Sequence, residues 1–272
     1  MKHSFVKSLS DKIIIVILIL IVLTYFLFVF VPILAIFLRI EPSQVNAQLH
    51  NAGIIEAIKL SLFTAGASTL IAFVLAVPTA YFMATRNFPG KTILDTIIDL
   101  PIVLPPAVAG VALLYAFAPR GLLGPIFNRL GYILPGSTLA VIIAETFVAS
   151  PFLLRSAKTG FEAMDKDVIN SAKMLTSSRL RVFFTISLPM TMRAIISGTM
   201  MTWARALGEF GATLMFAGNL PGVTQTMPLA IYVFLYSDPL AGVMLSIILI
   251  AIAFGILITI KLIEQKRFRQ KK

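Results

Sequence analysis

Arg205 and Glu209 stand four residues apart in the stretch Trp203-Ala204-Arg205-Ala206-Leu207-Gly208-Glu209-Phe210-Gly211-Ala212-Thr213, which is otherwise mostly apolar. That spacing places both charges on one helical face. A charge at the bilayer centre costs on the order of 3 kcal/mol on insertion scales, so neither group should face lipid. Two readings are open. The pair neutralises itself, or Arg205 borders a route for an anion while Glu209 holds it in place. Hydroxyls and amides could share the task of offsetting the dehydration of an oxyanion, with Thr146, Ser150, Thr213, Asn219 and Thr226 as candidates. Hydroxyls inside helices also bond their own backbone, which is the plainer account of them. The candidate pathway set is therefore Arg205, Glu209, Thr213 and Ser150. Glu145, ahead of Pro151, is a buried acid without a visible partner.

Other chemistries find little support. The chain has no cysteine, and its two histidines, His3 and His50, are isolated, so no metal or thiolate site is expected. It has no GxxxxGK[ST] phosphate loop, and no Ser-His or paired-carboxylate arrangement suggests hydrolysis. No catalytic residue is assigned.

These residues must be positioned by membrane helices. Of 272 residues, 58% are hydrophobic and 13% charged, and the mean hydropathy is +0.94. Six stretches, near 13–38, 54–84, 97–118, 138–157, 192–217 and 239–262, approach or exceed the roughly 20 helical residues that cross a bilayer. Eighteen Lys and Arg residues fall on one side of this six-span arrangement and three on the other. The net charge of +11 thus reads as membrane orientation rather than nucleic-acid binding, with both termini cytoplasmic.

The expected organisation is an N-terminal anchor with its outer loop (1–53), a transmembrane core (54–262) and a basic tail (263–272). The first span is too long for a signal peptide and lacks a small-residue cleavage site, so a retained anchor is expected. From Ile54 onward Gly, Ala, Ser, Thr and Pro enter the spans, the composition of closely packed helices. Pro105-Pro106 predicts a kink or break in the third span, and Gly121–Tyr132 a short helix at the outer interface.

Between spans four and five lies a basic interlude. Its apolar residues Phe161, Met164, Val168, Ala172 and Leu175 are spaced three and four apart. Asp165, Lys166, Asp167, Asn170 and Lys173 fall largely between them, so the segment reads as an amphipathic helix, a docking surface outside the membrane.

The residues now resemble a known family, the membrane subunits of binding-protein-dependent ABC importers. Its cytoplasmic signature is Glu-Ala-Ala, three residues, Gly, nine residues, then Ile-x-Leu-Pro. The frame falls on Asn170-Ser171-Ala172, Thr176 and Ile186-Ser187-Leu188-Pro189, with Asn170, Ser171 and Thr176 departing from the motif. Ser177 or Ser178 could cap the second small helix. Within the family the chain looks most like molybdate and tungstate permeases, through Asn87–Lys91, Leu100–Pro106, Arg205–Asn219 and Pro221–Tyr232. Sulfate permeases share much of this frame.

The resemblance implies an all-α integral membrane protein with six transmembrane helices, an ABC type-1 transmembrane domain carrying a cytoplasmic coupling-helix hairpin. It implies a homodimer, two ATP-binding subunits that hold ATP and Mg2+, an extracytoplasmic molybdate- or tungstate-binding protein, surrounding lipid and no nucleic acid. The coupling residues would be Phe161, Met164, Val168, Asn170, Ser171, Ala172, Lys173, Met174, Leu175, Thr176 and Ser177. The implied function is import of molybdate or tungstate across the cytoplasmic membrane, driven by a separate ATPase. A sulfate permease and a proton-coupled anion transporter are the alternatives.

Overall fold

Alanine, serine and threonine at steps of three and four build the centre of the molecule. In the computed structural model, which describes residues 2–39, 42–165, 167–168 and 178–269, with side chains at 14–39, 45–165, 167–168 and 178–262, every element among them is helical. The first is α1 (Lys2–Phe37), followed by α2 (Pro42–Leu49) and α3 (Ala52–Thr85). The third crossing comprises α4 (Lys91–Val103) and α5 (Pro106–Phe117); α6 (Gly124–Arg129) and α7 (Thr138–Glu162) follow. Beyond the interlude come α8 (Arg179–Val182), a π-helical turn (Phe183–Ser187), α9 (Leu188–Leu207), α10 (Gly211–Ala217), α11 (Met227–Ser237) and α12 (Pro239–Arg269).

The α3 residues Ala57, Ser61, Thr64, Ala65, Ser68, Ala72, Ala76 and Ala80 are buried. Their small side chains let α3 lie close against α7, with α9 on the other flank. Hydrogen bonds stitch α7 to α9. Thr202 Oγ1 donates to the Ala149 carbonyl at 3.2 Å, and Ser156 Oγ to that of Ala194 at 2.7 Å. By contrast, no residue of α1 from Ile14 to Phe37 is buried.

Five helices are long and apolar enough to cross a bilayer, and the pair α4–α5 makes a sixth candidate. The expected break is there: α4 stops at Val103, Pro106 opens α5, and the axes differ by 114°. Neither half alone, at about 20 Å, spans about 30 Å of hydrocarbon. Their neighbours lie towards opposite ends of α7. Asp95 and Asp99 of α4 meet Lys158 and Arg155 near the end of α7, whereas Ala109 and Leu113 of α5 pack with Ala140, Val141 and Ala144 near its start. The bent pair therefore touches α7 near both of its ends, α4 late in the helix and α5 early.

The fifth span departs from expectation. Helix was predicted unbroken over 192–217; instead α9 ends at Leu207, Gly208–Phe210 are irregular, and α10 resumes at Gly211. The cause is contact with the other broken span. A Cβ on Gly211 would lie 2.8 Å from Pro106 Cβ, and one on Gly110 would lie 2.7 Å from the Ala212 carbonyl oxygen. Only with glycine at both places can α5 and α10 approach so closely.

Part of the loop before α11 dips inward. Thr224, Gln225, Thr226 and Met227 are buried, and Met227 N donates to Ser61 Oγ at 2.6 Å. Ser61 lies about 14 Å along α3 from its start. Phe234, further along α11, sits against Gly53, at the start of α3. So α11 begins within the bundle and climbs outward. Irregular backbone at such depth is tolerated because protein surrounds it.

Candidate functional site in the broken helices

Glu209 sits in the irregular segment between α9 and α10, rather than on a continuous helix with Arg205. Its Oε1 accepts from Ala212 N at 2.8 Å, capping α10. Its Oε2 lies 2.6 Å from Arg205 Nη2, a close ion pair without the angular alignment of a hydrogen bond. One carboxylate thus ties the last turn of α9 to the first turn of α10. The pair is lopsided: the Glu209 side chain is 1% exposed, and Arg205 is 29% exposed. The carboxylate is sealed in protein while the guanidinium keeps an open edge.

The other proposed pathway residues are distributed around this junction. Thr213 lies on α10 and is buried, and its Oγ1 has no partner among the described residues. Asn219 Oδ1 and Thr226 Oγ1 are likewise buried and unpartnered there. Ser150 is half-buried on α7, next to the Ala149 carbonyl that Thr202 bonds, one turn of α9 before Arg205. Thr146 bonds locally, donating to Ile142 O at 2.7 Å.

Glu145 has the partners that were not visible in the sequence. Thr64 Oγ1 donates to Oε1 at 2.8 Å and Ser68 Oγ to Oε2 at 3.1 Å, and the whole residue is buried. Four-residue spacing puts both hydroxyls on one face of α3, a signal in the sequence that gains meaning only once α7 lies alongside.

At the other end of α7, Arg155 Nε contacts Asp99 Oδ1 at 2.6 Å, and Lys158 Nζ contacts Asp95 Oδ2 at 2.5 Å. This double ion pair fastens α4 to the helix that leads directly into the basic interlude. Arg155 is 56% exposed, so its pair with Asp99 is worth about 0–1 kcal/mol and serves alignment more than stability. Asp99→Arg is expected to lower transport several-fold, and Asp99→Arg combined with Arg155→Asp to recover most of it. An uptake assay with membrane abundance measured in parallel checks both.

Of the coupling residues, Phe161 lies on α7, 3% exposed, its ring 5.2 Å from Tyr81 and 6.2 Å from Phe183. Its place in a docking face is corrected accordingly: α7 extends to Glu162, which carries Phe161 into the core, where it braces the base of the interlude. Met164 packs partly against the same cluster, and Val168 is exposed. Asp165 Oδ1 accepts from Asp167 N at 2.8 Å, as at a helix start. Asn170, Ser171, Ala172, Lys173, Met174, Leu175, Thr176 and Ser177 lie outside the described residues. Ser178 caps α8 by accepting from Arg181 N at 3.3 Å, as expected. No group of three or more His, Cys, Asp or Glu able to hold a metal occurs among the described residues.

Comparison with known proteins agrees with this architecture. A molybdenum transport system permease protein, ModB, of Mycobacterium bovis is 39% identical over 223 residues, covering 82% of this chain and 84% of its own. The molybdate/tungstate transport system permease protein WtpB of Thermococcus kodakarensis is also 39% identical over 223 residues, covering 80% and 84%. Among solved structures, a bacterial alginate ABC transporter in complex with its pentasaccharide-bound periplasmic protein superposes with a TM-score of 0.75 at 15% identity, covering 98% of each chain. That likeness concerns the fold alone. Residues 72–269 match the family described as binding-protein-dependent transport system inner membrane component. With six candidate crossings, one of them a bent pair, the chain is a multi-pass membrane transport component and belongs to that family.

Proposed function

We propose that this chain is the permease subunit of an ATP-driven importer for molybdate or tungstate, receiving the dianion from an extracytoplasmic binding protein. The relatives at 39% identity that cover over four-fifths of their own length carry this reading. The half-open Arg205 guanidinium supports it, since it offers a cation to a passing oxyanion while Glu209 offsets its cost when the route is empty. Thr213 and Ser150 contribute hydroxyls, and the broken helices supply a wall that need not face lipid.

The permease acts as a homodimer with two ATPase subunits, which bind ATP and Mg2+. Both termini and the interlude face the cytoplasm, where most of the basic residues fall. Residues 1–53 anchor the 54–262 core, and 263–272 form a basic tail. The ATPases grip the segment that includes Val168, Lys173 and Leu175, and their closure drives a bistable helix bundle between its two access states.

Lys173→Glu with Leu175→Asp is expected to abolish both ATPase copurification and molybdate uptake. Survival of both in the double variant would remove the coupling assignment. Uptake by the permease alone in vesicles, driven by a proton gradient, would overturn the class. Competition by sulfate as strong as by tungstate would shift the substrate.

A further inference from the structure

Where α3 ends and α8 begins, Tyr81, Phe82, Thr85, Arg86, Arg179 and Val182 enclose a cavity of about 270 Å3. Two arginines reach it from separate elements. Among the described residues neither forms an ion pair, and the segment 169–177 just before Arg179 contains no Asp or Glu that could neutralise them. We propose that this cavity binds the phosphate of an anionic phospholipid headgroup from the leaflet on that side.

Three observations favour a lipid. The first is depth: α3 has 34 residues, so it is about 51 Å long and reaches past the hydrocarbon into the headgroup zone. The second is the apolar edge of the site. Phe82 lines the cavity, is 51% exposed and packs 5.4 Å from Phe88, an outward aromatic pair suited to the membrane interface. The third is charge. The carbonyl end of α3 opposes an anion with roughly half a unit of charge, which two full guanidinium charges exceed. Planar guanidinium groups also match phosphate oxygens two at a time. The Thr85 hydroxyl is already committed to Tyr81 O at 2.7 Å, which leaves recognition to the arginines.

The cavity abuts the ring cluster of Tyr81, Phe161 and Phe183, which braces both ends of the basic interlude. A bound headgroup would therefore stiffen the mounting of that segment.

The full chain, purified with its accompanying ATPase subunits, is to be examined by native mass spectrometry with added phosphatidylglycerol or phosphatidylcholine of equal acyl chains. At least a tenfold preference for phosphatidylglycerol is expected. Arg86→Gln with Arg179→Gln should erase it, the corresponding double lysine variant should keep at least half, and Arg181→Gln, outside the cavity, should leave it unchanged. An unaltered preference in the double glutamine variant would overturn the proposal, as would a lysine pair that binds no better than the glutamine pair. Full displacement of the lipid by millimolar inorganic phosphate would reassign the site to a free oxyanion. Loss of the ATPase subunits with lipid retention intact would reassign it to a protein carboxylate.

Discussion

Glu209→Ala will leave little folded transporter in the membrane, whereas Glu209→Gln will fold yet transport poorly. Alanine removes two things at once: the acceptor for Ala212 N and the counter-charge of Arg205. Breaking a buried ion pair from one side costs about 3–5 kcal/mol. Because Arg205 is 29% exposed, the lower end applies. Stranding the α10 amide adds about 1–3 kcal/mol. Glutamine retains an acceptor for the amide while removing the charge, so the junction survives with an uncompensated cation beside the route. A dianion held there leaves slowly, and uptake should fall at least tenfold at near-normal abundance. Thermal unfolding in nanodiscs together with isotope uptake separates the two effects. Wild-type melting and flux in the alanine variant would show that the junction carries neither role.

The second large effect concerns Glu145. Thr64→Val with Ser68→Ala removes both donors to its carboxyl group and leaves it buried without a protein donor. Two ordinary hydrogen bonds between membrane helices would account for about 1 kcal/mol. A stranded buried acid costs more, so a loss of about 2–4 kcal/mol is expected. In a Glu145→Leu background the same double change should cost less than about 1 kcal/mol, because nothing is left to strand. The cycle is read by unfolding, and a coupling near zero would show that Glu145 finds other partners.

How much of this was legible in the sequence depended on range. Pro105-Pro106 announces its break locally, because two missing amides cannot sit inside a helix whatever surrounds them. Ser178 likewise reveals its cap. The interruption after Leu207 was hidden: Gly208 tolerates a helix, Glu209 favours one, and the break arises because α10 is held against α5 through Gly211 and Gly110. The same distance hid the partners of Glu145, which lie 81 and 77 residues away. Asp95 and Asp99 find Lys158 and Arg155 only once α7 lies beside α4, 63 and 56 residues on. Phe161 fitted the amphipathic pattern of the interlude as well as it fits the core of α7, and periodicity alone gave no boundary between the two.

The π-helical turn at Phe183–Ser187 has a consequence for how the interior stripe is counted. Buried positions follow one another at Val182, Ser187, Thr191, Ile195, Gly198, Thr202 and Ala206, a march of threes and fours with a single stride of five across the turn. The widened loop absorbs the surplus amino acid, so the same side stays inward before and after it. A cousin one residue shorter at this place would keep its aim and simply tighten its pitch; a gap here in an alignment marks a coil relaxed or rewound, not a helix rolled onto a new side.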